Sequence, residues 1–194
     1  MKRLSILTAI ILAAAALMAS FQNCYACTGI TLKAKDGSTV VARTIEWAAS
    51  DNDCRWVVAP RGHTWKSFIP GGGTGRSFTS KYGYVGVAVV QDELMMEGMN
   101  EKGLSAGLFY FPDYGRYEEY SEANYETNIS DFQLVSYILG RCATVDEVKA
   151  EIAKVHIHGF DPRSSTVHWR FAEPSGRQIV LEIIDGKCVF YENT

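Results

Sequence analysis

Hydrophobic and polar positions in this chain change character three times. Leu4 to Met18 is an almost unbroken apolar run (LSILTAIILAAAALM) behind the positive start Met1-Lys2-Arg3, and it passes into the more polar Ser20, Gln22 and Asn23. The run falls short of the ~18 apolar residues that suggest a membrane span, and it ends at a small-x-small site, Cys24-Tyr25-Ala26. Residues 1–26 therefore read as a secretory signal peptide cut after Ala26, with no stable membrane span. The remaining chain starts at Cys27 and is expected to be exported, to the periplasm or beyond the cell.

After the leader the pattern is mostly that of strands. Residues 28–33 and 38–45 are β-rich runs joined by Ala34-Lys35-Asp36-Gly37, where Asp-Gly gives a strong hairpin signal. Residues 55–60 (RWVVAP), 82–91 (YGYVGVAVVQ) and 103–111 (GLSAGLFYF) read as further strands, with 70–75 (PGGGTG) a flexible loop and 98–103 a turn. A polar, tyrosine-rich loop over 114–125 precedes a change to helical period. Ile129, Phe132, Val135 and Leu139 predict a helix with Ser130 as N-cap and Gly140 as stop. Thr144 and Glu147 form a capping box ahead of Val148, Ile152 and Val155, which marks a second helix. Strands at 165–172, 177–184 and 188–191 close the chain, with turns at Pro174-Ser175-Gly176 and Asp185-Gly186. Strand groups flanking a helical pair argue for an α+β fold, helices layered on antiparallel sheet, and against a doubly wound one.

Composition narrows the function classes. With 47% hydrophobic residues and ten tyrosines the chain is globular, and the 168 residues at 27–194 suffice for one domain with a sizeable core. Loss of Lys2 and Arg3 with the leader takes the formal charge from −3 to −5, and no basic stripe points to a nucleic-acid partner. Of the five cysteines, Cys24 leaves with the leader. Cys27, Cys54, Cys142 and Cys188 are too widely and irregularly spaced for a zinc site, and cleavage separates Cys24 from Cys27, so neither a metal nor a cofactor is expected. In an oxidising compartment Cys54, Cys142 and Cys188 read either as buried small hydrophobes or as containing one disulfide pair.

Cys27 differs by position. A thiol of ordinary pKa near 8.5 is mostly protonated at neutral pH, so a nucleophilic cysteine needs a base or a positive environment. An N-terminal cysteine carries its own base, an α-amino group of reference pKa about 7.7 to 8.0. Such chemistry also asks for a cation beside the thiolate, an acceptor for the amine and donors for an oxyanion. Arg43-Thr44-Ile45-Glu46-Trp47 offers the first two at the end of the strand paired with the one that follows Cys27. Strict alternation would send Arg43 and Glu46 to opposite faces, so the strand must end or bulge near Ile45 for both to reach the cysteine.

Taken together, Cys27-Thr28-Gly29, Arg43-x-x-Glu46, Met99-Asn100-Glu101-Lys102-Gly103-Leu104 with Ala106-Gly107-Leu108 and Phe111-Pro112, and Thr166-Val167-His168-Trp169 resemble the choloylglycine hydrolases. These are the bile salt hydrolases and penicillin V acylases, within the N-terminal nucleophile (Ntn) hydrolases. The resemblance runs over essentially the whole chain from Cys27 in the family's order. It implies an αββα sandwich, cleavage of a linear amide bond in a small N-acyl substrate, no cofactor, and a homo-oligomer, often a tetramer. It also implies Cys27 as nucleophile, Arg43 beside the thiol, Glu46 (Asp in many members) at the α-amino group, and the Tyr110 backbone N–H at the oxyanion. In the family a further segment brings an Asn side chain to the oxyanion hole and later an Arg near the nucleophile; this sequence stops at Thr194, before either. A C-terminally truncated member with an incomplete sandwich is thus expected. An absent oxyanion donor costs on the order of a hundred- to a thousandfold in rate. The alternatives are an inactive family remnant and, from another class, a lipid-anchored binding protein with an acylated Cys27.

Overall fold

In a computed structural model the described residues are 27–46, 53–161, 164 and 166–193. The first hairpin is β1 (Gly29–Lys33) with β2 (Thr39–Arg43). Then come β3 (Cys54–Ala59), a second hairpin of β4 (Thr64–Ile69) and β5 (Gly73–Thr79), and the run β6 (Tyr84–Val89), β7 (Met95–Asn100) and β8 (Ser105–Tyr110). A short β9 (Asn128–Ser130), a 3-10 turn at Asp131–Gln133, helices α1 (Leu134–Leu139) and α2 (Val145–Ile152), and β10 (His156–His158) follow. The last elements are β11 (Val167–Ala172), β12 (Gln178–Ile184) and β13 (Lys187–Glu192). Seven strands form one antiparallel sheet in the order β13-β12-β11-β8-β7-β6-β3, while β9 and β10 make a small parallel pair.

Period-two alternation assigns the two faces of the large sheet. Toward α1 point Val57 and Ala59 of β3, Tyr84 and Ala88 of β6, Ala106 and Leu108 of β8, and Val167, Trp169 and Phe171 of β11, all buried. They pack against Leu134, Val135, Ile138 and Leu139, which are fully enclosed, so the core lies between sheet and helices. The opposite face carries the β1–β2 hairpin over β8 and β11. Arg170 Nη1 donates to the Ile30 carbonyl at 3.1 Å, the Thr31 hydroxyl bonds Gln178 Oε1 at 2.8 Å, and Arg43 donates to the Leu108 carbonyl. Helix, sheet and hairpin are thus the layers among the described residues, in the α+β manner expected.

Several elements depart from the sequence reading. Residues 73–75, expected as loop, belong to β5; only Pro70, Gly71 and Gly72 turn, the glycines at φ 87° and 90°. Residues 98–100, expected as turn, complete β7, and the chain reverses at 101–103. The first helix is shorter than its period suggested. Ile129 lies in β9, and Ser130 precedes the 3-10 turn without its side chain capping it. The capping box holds: the Thr144 hydroxyl accepts from Glu147 N at 3.2 Å, and Glu147 Oε2 accepts from Ala143 N at 2.6 Å. Trp65 sits on β4, a strand absent from the sequence reading, and Trp47 lies outside the described residues. So does the leader, residues 1–26.

Candidate active site

The site is built where the first hairpin meets β8. β2 ends at Arg43, two residues earlier than the sequence limit for bringing Arg43 and Glu46 to one place. Beyond it the ladder gives way to side-chain pairing: Thr44 N donates to Thr28 O at 2.9 Å, while Thr28 N donates back to the Thr44 hydroxyl at 3.1 Å. That hydroxyl donates to Glu46 Oε2 at 3.0 Å. The chain then curls so that the Cys27 thiol points to the Glu46 carbonyl oxygen, 3.8 Å away. Cys27 thus meets the backbone of Glu46, while the Glu46 carboxylate is held by Thr44.

Arg43 turns the other way, into the molecule. Its guanidinium donates to the Leu108 carbonyl and lies 4.5 Å from the centre of the Phe109 ring. Burial lowers its pKa, and the charge of Cys27 leads the opposing influences, followed by Glu97. Tyr110 ends β8 one residue beyond Phe109, in register with Val167 of β11, at the lip of this cluster.

Two charged residues that sequence reasoning did not single out complete the floor. Glu97 and Arg170 belong to the cross-strand row Glu97–Gly107–Arg170, and their side chains approach to 3.6 Å. Arg170 also lies 5.4 Å from the Phe109 ring, so two guanidiniums stand near that ring. Burial pushes the Glu97 carboxyl up; Arg170 and then Arg43 oppose the rise. The signal was present in the sequence: a charge inside each of two otherwise apolar strands, MMEGM and VHWRFA, is rarely buried without a partner. Gly29 is explained by the same floor. A Cβ there would fall 2.8 Å from Arg170 Nη1 and 2.9 Å from the Phe109 ring, so the third position of Cys27-Thr28-Gly29 must lack a side chain for β1 to lie this low.

Other motif residues serve the scaffold. Asn100 donates from Nδ2 to the carbonyls of Leu139 and Cys142 at 2.8 and 2.7 Å, closing the end of α1, and its Oδ1 accepts from Lys102 N and Leu104 N. Glu101 accepts from Gly83 N and pairs with Arg61, which holds its carboxyl at about 2. His168 stacks on Phe111 at 4.7 Å beside the Phe109 ring, with Glu182 3.5 Å away; burial lowers its pKa and Glu182 opposes this. Cys54, Cys142 and Cys188 are free thiols, Cys142 alone of the three being buried. No group of three or more His, Cys, Asp or Glu side chains suited to a metal occurs among the described residues.

The arrangement can present one half-buried thiol beside the Glu46 backbone, with the buried Arg43 guanidinium among its charged neighbours. Comparison with known proteins gives it a lineage. Residues 27–194 match the family described as linear amide C-N hydrolases, choloylglycine hydrolase family. A bile salt hydrolase/transferase of Clostridium perfringens is 28% identical over 174 residues, covering 86% of this chain and 51% of the relative. A penicillin V acylase of Pectobacterium atrosepticum is 26% identical over 79% of this chain and 43% of its own. Among solved structures, a mutant conjugated bile acid hydrolase from C. perfringens superposes with a TM-score of 0.70 at 26% identity, over 87% of this chain and 51% of that one. Penicillin V acylase from Agrobacterium tumefaciens gives 0.68 at 25%, over 85% and 49%. The chain therefore spans about half the length of the relatives it matches, and it belongs to the choloylglycine hydrolase family of linear amide C–N hydrolases.

Proposed function

We propose that this chain supplies the nucleophilic half of an exported N-terminal-cysteine amide hydrolase. Removal of residues 1–26 would leave Cys27 with a free amine, and that amine would take the thiol proton. The thiolate would attack the carbonyl carbon of an N-acyl amide, opening the C=O π bond to give a tetrahedral oxyanion. The Tyr110 backbone N–H would stabilise that oxyanion, which is the charge that develops in the transition state. Collapse would break the C–N bond, the leaving amine taking its proton from the α-ammonium. Water would then cleave the acyl-thioester and restore the thiol. Arg43 favours the thiolate, and Glu46 orients the amine. No step in this sequence needs a metal or a cofactor.

The observation that supports the reading is the meeting of the Cys27 thiol with the Glu46 carbonyl just beyond β2, with Arg43 buried against β8, in a chain of the amide hydrolase family. Conjugated bile salts and penicillin V are the substrate classes to try, because the two relatives described above are named for bile salts and for penicillin V. The test compares a chain starting at Cys27 with one carrying an extra alanine ahead of Cys27, and with Cys27→Ala. Release of glycine, taurine or the β-lactam amine by the first alone is expected. Equal release by the alanine-extended chain would rule out the terminal amine as base.

A further inference from the structure

We propose that Glu97 and Arg170 are positioning residues of this site: their ion pair seats the first strand and Arg43 beneath Cys27 and sets the charge against which the thiol ionises. The role in catalysis rests on the proposed nucleophile; the ionisation itself can be read without turnover.

The geometry is specific. Gly107 has no side chain, and Glu97 lies across the space this leaves, so that a Cβ at Gly107 would fall 1.9 Å from Glu97 Oε2. From there its Oε1 reaches Arg170 Nη2 at 3.6 Å. Arg170 Nη1 donates to Ile30 O at 3.1 Å, which pins β1 three residues after Cys27. Arg43 lies over the Phe109 ring as well, and its buried Nε and Nη1 make no hydrogen bond among the described residues; nor does Glu97 Oε2. Two guanidiniums thus face a single carboxylate under the hairpin. Among the described residues the other charged groups nearby include Glu46, held by the Thr44 hydroxyl, and His168 with Glu182 at the edge of Phe109, and cleavage after Ala26 would add the α-amino group of Cys27 itself. A guanidinium pair with one counter-charge keeps a positive surplus that a Cys27 thiolate neutralises. Neither arginine is free to leave, since each is fixed by a backbone carbonyl as well as by Phe109.

The charges give opposite signs to two substitutions. Glu97→Gln removes the counter-charge and should favour the thiolate, whereas Arg170→Met removes a cation and should disfavour it. A merely structural role would change access to the thiol in both variants without moving its titration in opposite directions. The experiment is the pH dependence of iodoacetamide alkylation at Cys27 in the purified exported protein, followed by peptide mass. Expected is a midpoint lowered by about half a unit or more in Glu97→Gln, raised by a similar amount in Arg170→Met, and close to the parent in Arg170→Lys. Midpoints that stay fixed, or that move in the same direction, overturn the proposal. Should Arg170→Met fail to fold by circular dichroism, Glu97→Gln decides alone: an unmoved or raised midpoint rejects it. Amide hydrolysis measured alongside separates the two ideas. Opposite midpoints without turnover leave the charge seat intact and reject the hydrolase reading, and turnover with unmoved midpoints does the reverse.

Discussion

At the scale of single residues, close approach and burial decide more than residue type. Gly29→Ala should cost about 1 to 3 kcal/mol, because its methyl group would press on Arg170 and Phe109, both held in place by other contacts. Urea unfolding of the two proteins measures this, and an unchanged midpoint would mean that β1 sits higher above the sheet. Burial also separates the cysteines. Cys142 is 2% exposed and its thiol is pushed up to about 12, which makes it inert at neutral pH. Asp131 is buried, accepts bonds from the backbone N–H groups of Phe132 and Phe160, and has its carboxyl pushed up by burial to about 6. Since the folded state holds this proton more tightly than the unfolded chain, its stabilising effect is complete below about pH 4 and fades as pH rises through 6. Asp131→Asn should remove about 2 kcal/mol of pH dependence between pH 4 and 7, as read from denaturation midpoints along the series. An identical pH profile in the variant would show that the carboxyl is not desolvated.

Among the elements, those with a local physical signature were legible. The capping box announced α2, and Thr144→Ala should cost about 1 kcal/mol by thermal unfolding, an outcome that fails if Glu147 N finds another acceptor without loss. The hairpin β1–β2 was readable from Asp36-Gly37: Gly37 has φ 88°, and Asp36 Oδ1 accepts from the Ser38 N–H and hydroxyl. β7 was hidden because its residues do not alternate. Met95 and Met96 are both fully buried, and the Glu97 that follows is stabilised only by arginines from β2 and β11. β9 and β10 are three residues each and pair across the two helices, a contact no local window contains. For the site the division is similar. Cys27, Arg43 and Glu46 could be read from their spacing around one hairpin, but Glu97 and Arg170 depend on which strands become neighbours through Gly107.

At the scale of the whole molecule, the two sheet faces are unequally covered. The helix side is sealed, while on the other face the hairpin lies over β8, β11 and β12. The row Val58, Val85 and Met99 on β3, β6 and β7 remains 74%, 42% and 45% exposed, with Trp56 at 78% beside it. Cys27, the proposed nucleophile, is half-buried and stands just ahead of β1. That placement matters to the central claim, since this chain spans about half the length of its relatives yet contains Cys27, Arg43, Glu46 and Tyr110. The most direct measurement is acid-quench mass spectrometry of the chain beginning at Cys27, mixed with penicillin V or a taurine-conjugated bile salt. One acyl mass on the peptide that starts with Cys27, absent from Cys27→Ala, is the expected result. Amine release without that adduct, an adduct on Cys54 or Cys188 instead, or neither adduct nor release would contradict it.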